Sequence, residues 1–288
     1  MTIPESQLSR WSDHGPQDTA KRTHTAIRRA LEAYDWPAGV RYDVYLQGSY
    51  QNDTNISGDS DVDVVLELKS SIYHDLDELS DWERRSLALT LGPVTYGWND
   101  FRRDALKAME LRFGKALIAQ GNKTIKLKPN PGSLAADVVV CANHRTYTSR
   151  SAHIDGIMLY VLQDKRQIVN YPMLHYQNGA EKGRRTRDRY KRTVRMFKNA
   201  RNRLLSDGRL HRKAAPSYFL ECLLYNAPNE CFLSGYQDTY VSIVNWMTGA
   251  DLGMLVCQNG RQQLFGDLPE QWSQSNARSL SSGLADLW

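Results

Sequence analysis

The stretch GSYQNDTNISGDSDVD, residues 48–63, decides how the rest of the chain is read. It follows a short apolar run, Tyr42 to Gln47, that reads as a strand. Residues 48–60 are rich in Gly, Ser, Asn, Asp and Thr, which predicts a loop. From Asp61 to Leu68 the chain alternates with the period of a strand. Val62, Val64, Leu66 and Leu68 take one face; Asp61, Asp63, Val65 and Glu67 take the other. Asp61 and Asp63 therefore present both carboxylates to one side, next to the loop. Neighbouring carboxylates repel unless a cation lies between them. Hard oxygen ligands on one face, completed by phosphate oxygens, suit Mg²⁺. Gly48 lets a backbone approach a phosphate, and the amide and hydroxyl of Ser49 can donate to its oxygens. The sequence GxxxxGK[ST], which would mark a Walker loop, does not occur.

A third carboxylate lies further on. Asp137 sits in AADVVVC, residues 135–141, where nearly every neighbour is apolar. An isolated Asp in such a strand is costly unless it is paired or binds metal. If this strand neighbours the first, three carboxylates would hold two metal ions roughly 4 Å apart, the clamp for in-line phosphoryl or nucleotidyl transfer. Each piece is weak alone: an Asp-x-Asp pair often marks a solvated strand edge, and a lone buried Asp is often hydrogen-bonded. The combination is what is specific.

At 288 residues the chain has room for one large domain or two modest ones. With 41% hydrophobic and 24% charged residues it can bury a sizeable core. No apolar run reaches the ~18 residues of a membrane span, and the polar first thirty residues lack a secretory apolar region. The four separated cysteines, Cys141, Cys222, Cys231 and Cys257, read as reduced thiols of a cytoplasmic protein. The net charge of +5 is unevenly spread: from Lys182 to Lys213 there are fourteen Lys or Arg against two acids, whereas the remainder is net acidic. That segment points to a polyanionic partner, a nucleotide triphosphate, a nucleic acid or an acidic protein.

Periodicity predicts helices near 17–34, 77–90 and 100–119, the last striped by Phe101, Ala105, Ala108, Met109, Phe113 and Ala116 with a break at Arg112. Strands are predicted at 124–128, 135–141, 157–162 and 167–169. Further helices are predicted at 186–205, 217–225, 238–248 and 272–287. The texture changes from mixed to helical between Tyr171 and Gly183, which divides the chain into domains of residues 1–175 and 176–288. In the basic helix, Lys191, Arg195, Lys198 and Asn202 share one face, and Tyr190, Val194, Phe197 and Leu204 another. Most of its charges read as a solvated surface.

Gly-Ser, a short loop and Asp-x-Asp resemble the signature of polymerase-β-like nucleotidyltransferases. The finer match is to the bacterial CD-NTases (cGAS/DncV-like), whose pattern GSYxxxTxxxxxSDxD is met by Gly48, Ser49, Tyr50, Thr54, Ser60, Asp61 and Asp63. The resemblance implies an α+β fold: a polymerase-β-like core of mixed sheet flanked by helices, a C-terminal helical lobe like that of oligoadenylate synthetase, and an active-site cleft between them. It implies that Asp61 and Asp63 bind two Mg²⁺ ions, with Mn²⁺ a substitute, and that Asp137 binds one and helps deprotonate the attacking ribose hydroxyl. Gly48 and Ser49 would hold the donor's outer phosphates. Lys198, with Arg195 a weaker candidate, matches the lysine that reaches the triphosphate. Ser217 and Tyr218 match a Ser-Tyr motif in which Ser contacts phosphate and Tyr stacks on the donor base, a contact worth about 1–3 kcal/mol.

The implied activity joins NTPs, ATP among them, into a cyclic di- or trinucleotide second messenger of antiphage (CBASS) defence, with release of pyrophosphate. No residues match the zinc thumb of the animal DNA sensor, so the basic segment 182–213 is left for nucleotide or for a regulatory protein or nucleic acid. Three other readings use the same residues: a linear 2′–5′ oligoadenylate-like synthetase, a nucleotidyltransferase modifying tRNA or protein, and a non-enzymatic binding module. Three intact acids argue against the last.

Overall fold

The computed structural model describes residues 2–15, 17–57, 61–129 and 134–288, so Ser60 of the motif lies outside the described residues. The chain forms two compact units. One comprises Gln17–Tyr50 and Ser60–Pro172; the other comprises Met1–Pro16, Gln51–Asp59 and Met173–Trp288. Chain contacts thus place the first helix, α1 (Glu5–Trp11), with the helical unit.

In the sheet unit, α2 (Asp18–Glu32) buries Ala20, Thr23, Ile27, Ala30 and Leu31. Past its end, the Trp36 indole and the Tyr42 hydroxyl both donate to the Leu31 carbonyl, at 2.8 and 3.1 Å. They satisfy an acceptor that a helix C-terminus leaves open. β1 (Tyr42–Leu46) pairs antiparallel with β2 (Asp61–Asp75). Between them the first five motif residues form a short helix, α3 (Gly48–Asn52), where the composition predicts only loop. It is one turn with no buried side chain, so it leaves no apolar period to read.

β2 outruns its predicted end at Leu68, its pairing shifting register between Leu68 and Ile72. It lies between β1 and the parallel strand β5 (Ala135–Ser149), so both of its edges are paired. Val65 and Glu67 are buried along with Val62, Val64, Leu66 and Leu68, so both of its faces are covered in the middle. Glu67 is satisfied there by the Tyr45 hydroxyl at 2.9 Å and the Lys69 ammonium at 2.7 Å. α4 (Asp81–Ala88) is shorter than predicted and has no buried residue; Ser80 and Glu83 cap it reciprocally.

α5 (Trp98–Phe113) stops six residues early because Gly114, at φ +83°, turns the chain out of the helix. Ala116 therefore falls in a 3₁₀ turn rather than on the stripe. β3 (Ile118–Gln120) and β4 (Thr124–Leu127) follow and extend the sheet beside β5. The far half of β5 pairs with β6 (Ala152–Val161), which pairs with β7 (Arg166–Asn170). The Trp98 indole donates to the Val140 carbonyl at 2.7 Å and pins α5 to the sheet.

The helical unit holds α6 (Pro172–Arg185), α7 (Arg189–Ser206), α8 (Ser217–Asn226), α9 (Tyr236–Gly249) and α10 (Gln274–Leu287), and the last four share one core. Tyr190, Val194, Phe197 and Leu204 all lie in it, as their spacing predicts. α1 docks on α7 and α9. Its Glu5 carboxylate accepts the Tyr236 and Gln237 amides, each at 2.7 Å, where α9 begins, a favourable place for negative charge. Among the described residues no helix is long and apolar enough to cross a membrane. All four cysteines are free thiols.

Phe101 sits buried amid the rings of Trp36, Tyr42 and Tyr96. Replacing it with Ala should destabilise the protein by about 3–5 kcal/mol, read from denaturant unfolding.

Candidate active site

The sheet unit brings the acidic half of the motif together. The Gln47 amide donates to the Asp63 carbonyl at 2.9 Å, closing β1 onto the start of β2. The next residue, Gly48, has φ +67°, and a Cβ there would stand 2.2 Å from the Asp63 Oδ2. Both the backbone angle and the close carboxylate demand glycine. Ser49 follows in the first turn of α3, half-buried.

β2 and β5 are parallel neighbours in a register that pairs Asp63 with Asp137 and Asp61 with Ala135. The condition set by the sequence, that the two acidic strands be adjacent, is met. Asp61 is exposed and Asp63 half-buried. On its other side Asp137 faces Lys126 of β4, whose ammonium donates to both carboxylate oxygens at 2.9 and 3.1 Å. The lysine side chain is 52% exposed, so this is a solvent-screened pair worth at most about 1 kcal/mol.

Among the described residues no three His, Cys, Asp or Glu are gathered closely enough to form a metal-binding group. The donor set nevertheless fits a divalent cation: it is all carboxylate oxygen, two members are register partners, and Asp137 already grips a cationic ammonium with both oxygens.

The remaining motif residues, 51–57, belong to the helical unit. They lie between residues 12–15 and α7, held by two charges that the resemblance assigns to the triphosphate. Lys198 is 1% exposed, and its Nζ donates to the Thr54 carbonyl at 2.8 Å. Arg195 donates to the carbonyls of Ser12 at 2.6 Å and Asp53 at 2.5 Å. Burial draws the Arg195 guanidinium below its ordinary value, and Asp53 opposes this. The Thr54 hydroxyl donates to Glu221 Oε2 at 3.1 Å. Gly15 and Asn55 exchange backbone and side-chain bonds, and a Cβ on Gly15 would strike the Ile56 carbonyl at 2.4 Å.

Ser217, in the first turn of α8, accepts from Arg201 Nη2 at 3.1 Å, while Nη1 of the same buried Arg201 donates to the Ala215 carbonyl at 2.6 Å. Tyr218 is 43% exposed, which takes it out of the core. Its ring stacks on that of His175 with centroids 5.4 Å apart and planes at 22°. Burial of its phenol end, and the thiols of Cys222 and Cys257, push the hydroxyl well above the usual range.

Part of the basic segment is engaged within the unit, and part of it stays at the surface. Lys182 donates to the Ala227 carbonyl and lies over the Phe232 ring; Arg184 and Arg185 pair with Glu181; Arg189 donates to the Phe232 carbonyl; Arg203 pairs with Asp207. Arg201, Glu221 and His175 escaped the sequence reading. A charged or ionisable side chain defaults to the surface unless a partner is visible, and these partners are distant in sequence.

The sequence pattern of the cGAS/DncV-like nucleotidyltransferase C-terminal helical domain matches residues 177–288. Over 292 residues the chain is 47% identical to the cyclic UMP-AMP synthase of Rhodothermus marinus, covering 100% of this chain and 98% of the relative. It is 34% identical to the cyclic nucleotide synthase CdnE01 of Staphylococcus haemolyticus, covering 100% of this chain and 99% of that one. The solved structure of Rhodothermus marinus CdnE c-UMP-AMP synthase with Apcpp and Upnpp superposes with a TM-score of 0.91 at 46% identity, covering 99% of this chain and 96% of that chain. The chain belongs to the cGAS/DncV-like nucleotidyltransferase (CD-NTase) family.

Two substitutions test the geometry. Gly48→Ala should destabilise by about 1–3 kcal/mol, because a left-handed angle and the Asp63 carboxylate both resist it. Lys198→Met leaves the Thr54 carbonyl without its ammonium and should cost about 1–3 kcal/mol. Thermal melting measures both.

Proposed function

We propose that this chain joins NTPs into a cyclic di- or trinucleotide and releases pyrophosphate, as a second messenger of antiphage (CBASS) signalling in the bacterial cytoplasm. The observation that carries the reading is the parallel register that sets Asp63 of the motif beside Asp137, next to Gly48 and Ser49. Similarity along the whole chain to a cyclic UMP-AMP synthase supports it and makes ATP with UTP the first pair to supply.

In this reading Asp61, Asp63 and Asp137 are the metal ligands and Ser49 donates to the donor's outer phosphates. A divalent metal there, Mg²⁺ by ligand chemistry and two ions by resemblance, would neutralise charge on the triphosphate. Asp137 accepts the proton of the attacking ribose hydroxyl once Lys126 has yielded, a small demand for an exposed pair. The hydroxyl oxygen bonds to the α-phosphorus, the bond from that phosphorus to the bridging oxygen breaks, and pyrophosphate leaves. Repeating the step on the linear intermediate closes the ring.

Tyr218 offers its ring to the donor base, and Ser217, steadied by Arg201, lies next to it. Lys198 and Arg195 take a positioning task in this reading. Each already donates to a backbone carbonyl of the motif segment, so they position Asp53 and Thr54.

The test is incubation with all four NTPs and Mg²⁺, then phosphatase, then mass spectrometry. A phosphatase-resistant product with the mass of n nucleotides less n waters is expected. It should vanish with EDTA and in Asp61→Ala/Asp63→Ala, whose melting temperature should stay within a few degrees of wild type. Products fully trimmed by phosphatase would replace the cyclase reading with a linear synthetase, and product from the double variant would sink the site.

A further inference from the structure

His175 of α6 and Glu221 of α8 meet inside the helical unit, with Nε2 3.3 Å from Oε1. The other carboxylate oxygen, Oε2, accepts from the hydroxyl of Thr54, a fixed letter of the motif. The His175 ring in turn lies beneath the half-exposed Tyr218. A continuous run of contacts therefore leads from the motif segment, through one carboxylate and one imidazole, to an aromatic face open to solvent.

The surroundings hold this run still. Gln258 donates to the His175 carbonyl at 2.8 Å. The Tyr190 hydroxyl contacts both the Glu221 carbonyl, at 3.0 Å, and Gln258 Oε1, at 2.5 Å. Gly179 is bare because a Cβ there would come within 2.4 Å of Gln258 Nε2. Glu221 is 4% exposed and both its oxygens are committed. Movement of Thr54 must therefore be shared by His175, since a buried carboxylate cannot give up a partner to water.

We propose that Glu221 and His175 are positioning residues that couple the motif segment 51–57 to the Tyr218 ring, so that a base lying on Tyr218 and the segment carrying Thr54 are fixed together. This rests on the reading of Tyr218 as the base platform. A pair that served stability alone would have no reason to make changes at Thr54 and at Tyr218 depend on one another. The coupling is what distinguishes the proposal.

The experiment is a mutant cycle read by equilibrium binding of the non-hydrolysable analogue of the nucleotide turned over, with melting temperatures as a check on folding. Thr54→Val removes only the hydroxyl, and Tyr218→Ala removes the platform. His175→Phe keeps a ring under Tyr218 while cutting the link to Glu221; Glu221→Gln replaces it if that variant does not fold. In the wild-type background the Kd of the double variant Thr54→Val/Tyr218→Ala should fall short of the product of the single effects by about fivefold or more. In the His175→Phe background the two effects should simply multiply. Multiplication in both backgrounds overturns the coupling while leaving the platform intact. An unchanged Kd in Tyr218→Ala alone removes the platform reading, and the proposal with it.

Discussion

A buried lysine and a buried glutamate meet on Thr54, one on its carbonyl and the other on its hydroxyl. Removing a charge of this size from water costs several kcal/mol, and leaving one buried hydrogen-bond partner unmatched typically costs about 1–3 kcal/mol. An apolar helix face would have stabilised α7 as well or better. The charges instead fix the path of seven residues, 51–57, that have no regular structure beyond the end of α3. The clamp thus fixes where Thr54, a polar letter of the motif, stands within the helical unit. The clamp is thus a means of specificity more than of stability.

The acidic half is governed by a different constraint, strand register. A one-residue slip of β5 against β2 would turn Asp137 to the opposite face of the sheet and break its pairing with Asp63. The slip is opposed by burial of Val138, Val140 and Ala142 on one strand and of Val62, Val64 and Leu66 on the other. The apolar alternation that builds the core therefore also sets the acids side by side. Gly48 completes the arrangement by leaving room for the Asp63 carboxylate.

Much of this was legible in the sequence because periodicity reports burial. The strand starts at Asp61 and Ala135 and the apolar face of α7 followed from apolar spacing. Three helices did not, α3 being a single turn with no buried side chain. α1 has a single fully buried apolar side chain, Leu8, and so has no stripe. The buried positions of α6 are His175, Gly179 and Gly183, so the face that packs carries almost no hydrophobic signal. That Asp61 and Asp63 share one strand and Asp137 lies on another was readable from alternation; that the two strands are neighbours was not. The inward turn of Arg195, Lys198 and Arg201 was not, because their acceptors are carbonyls of Ser12, Asp53, Thr54 and Ala215, and any residue type can offer a carbonyl.

The contact of Glu5 with the start of α9 spans 231 and 232 positions of sequence. During synthesis α1 precedes α7 and α9, and its Glu5 has no helix start to meet until α9 appears. At roughly 5–20 residues per second, that wait is on the order of ten seconds or more. The segment 51–57 waits likewise for α7. The sheet unit, by contrast, has all of its strands once Asn170 is made. The order of synthesis thus lets the acidic strands β2 and β5 assemble first, and the segment that leads into β2 is clamped only when α7 has been made.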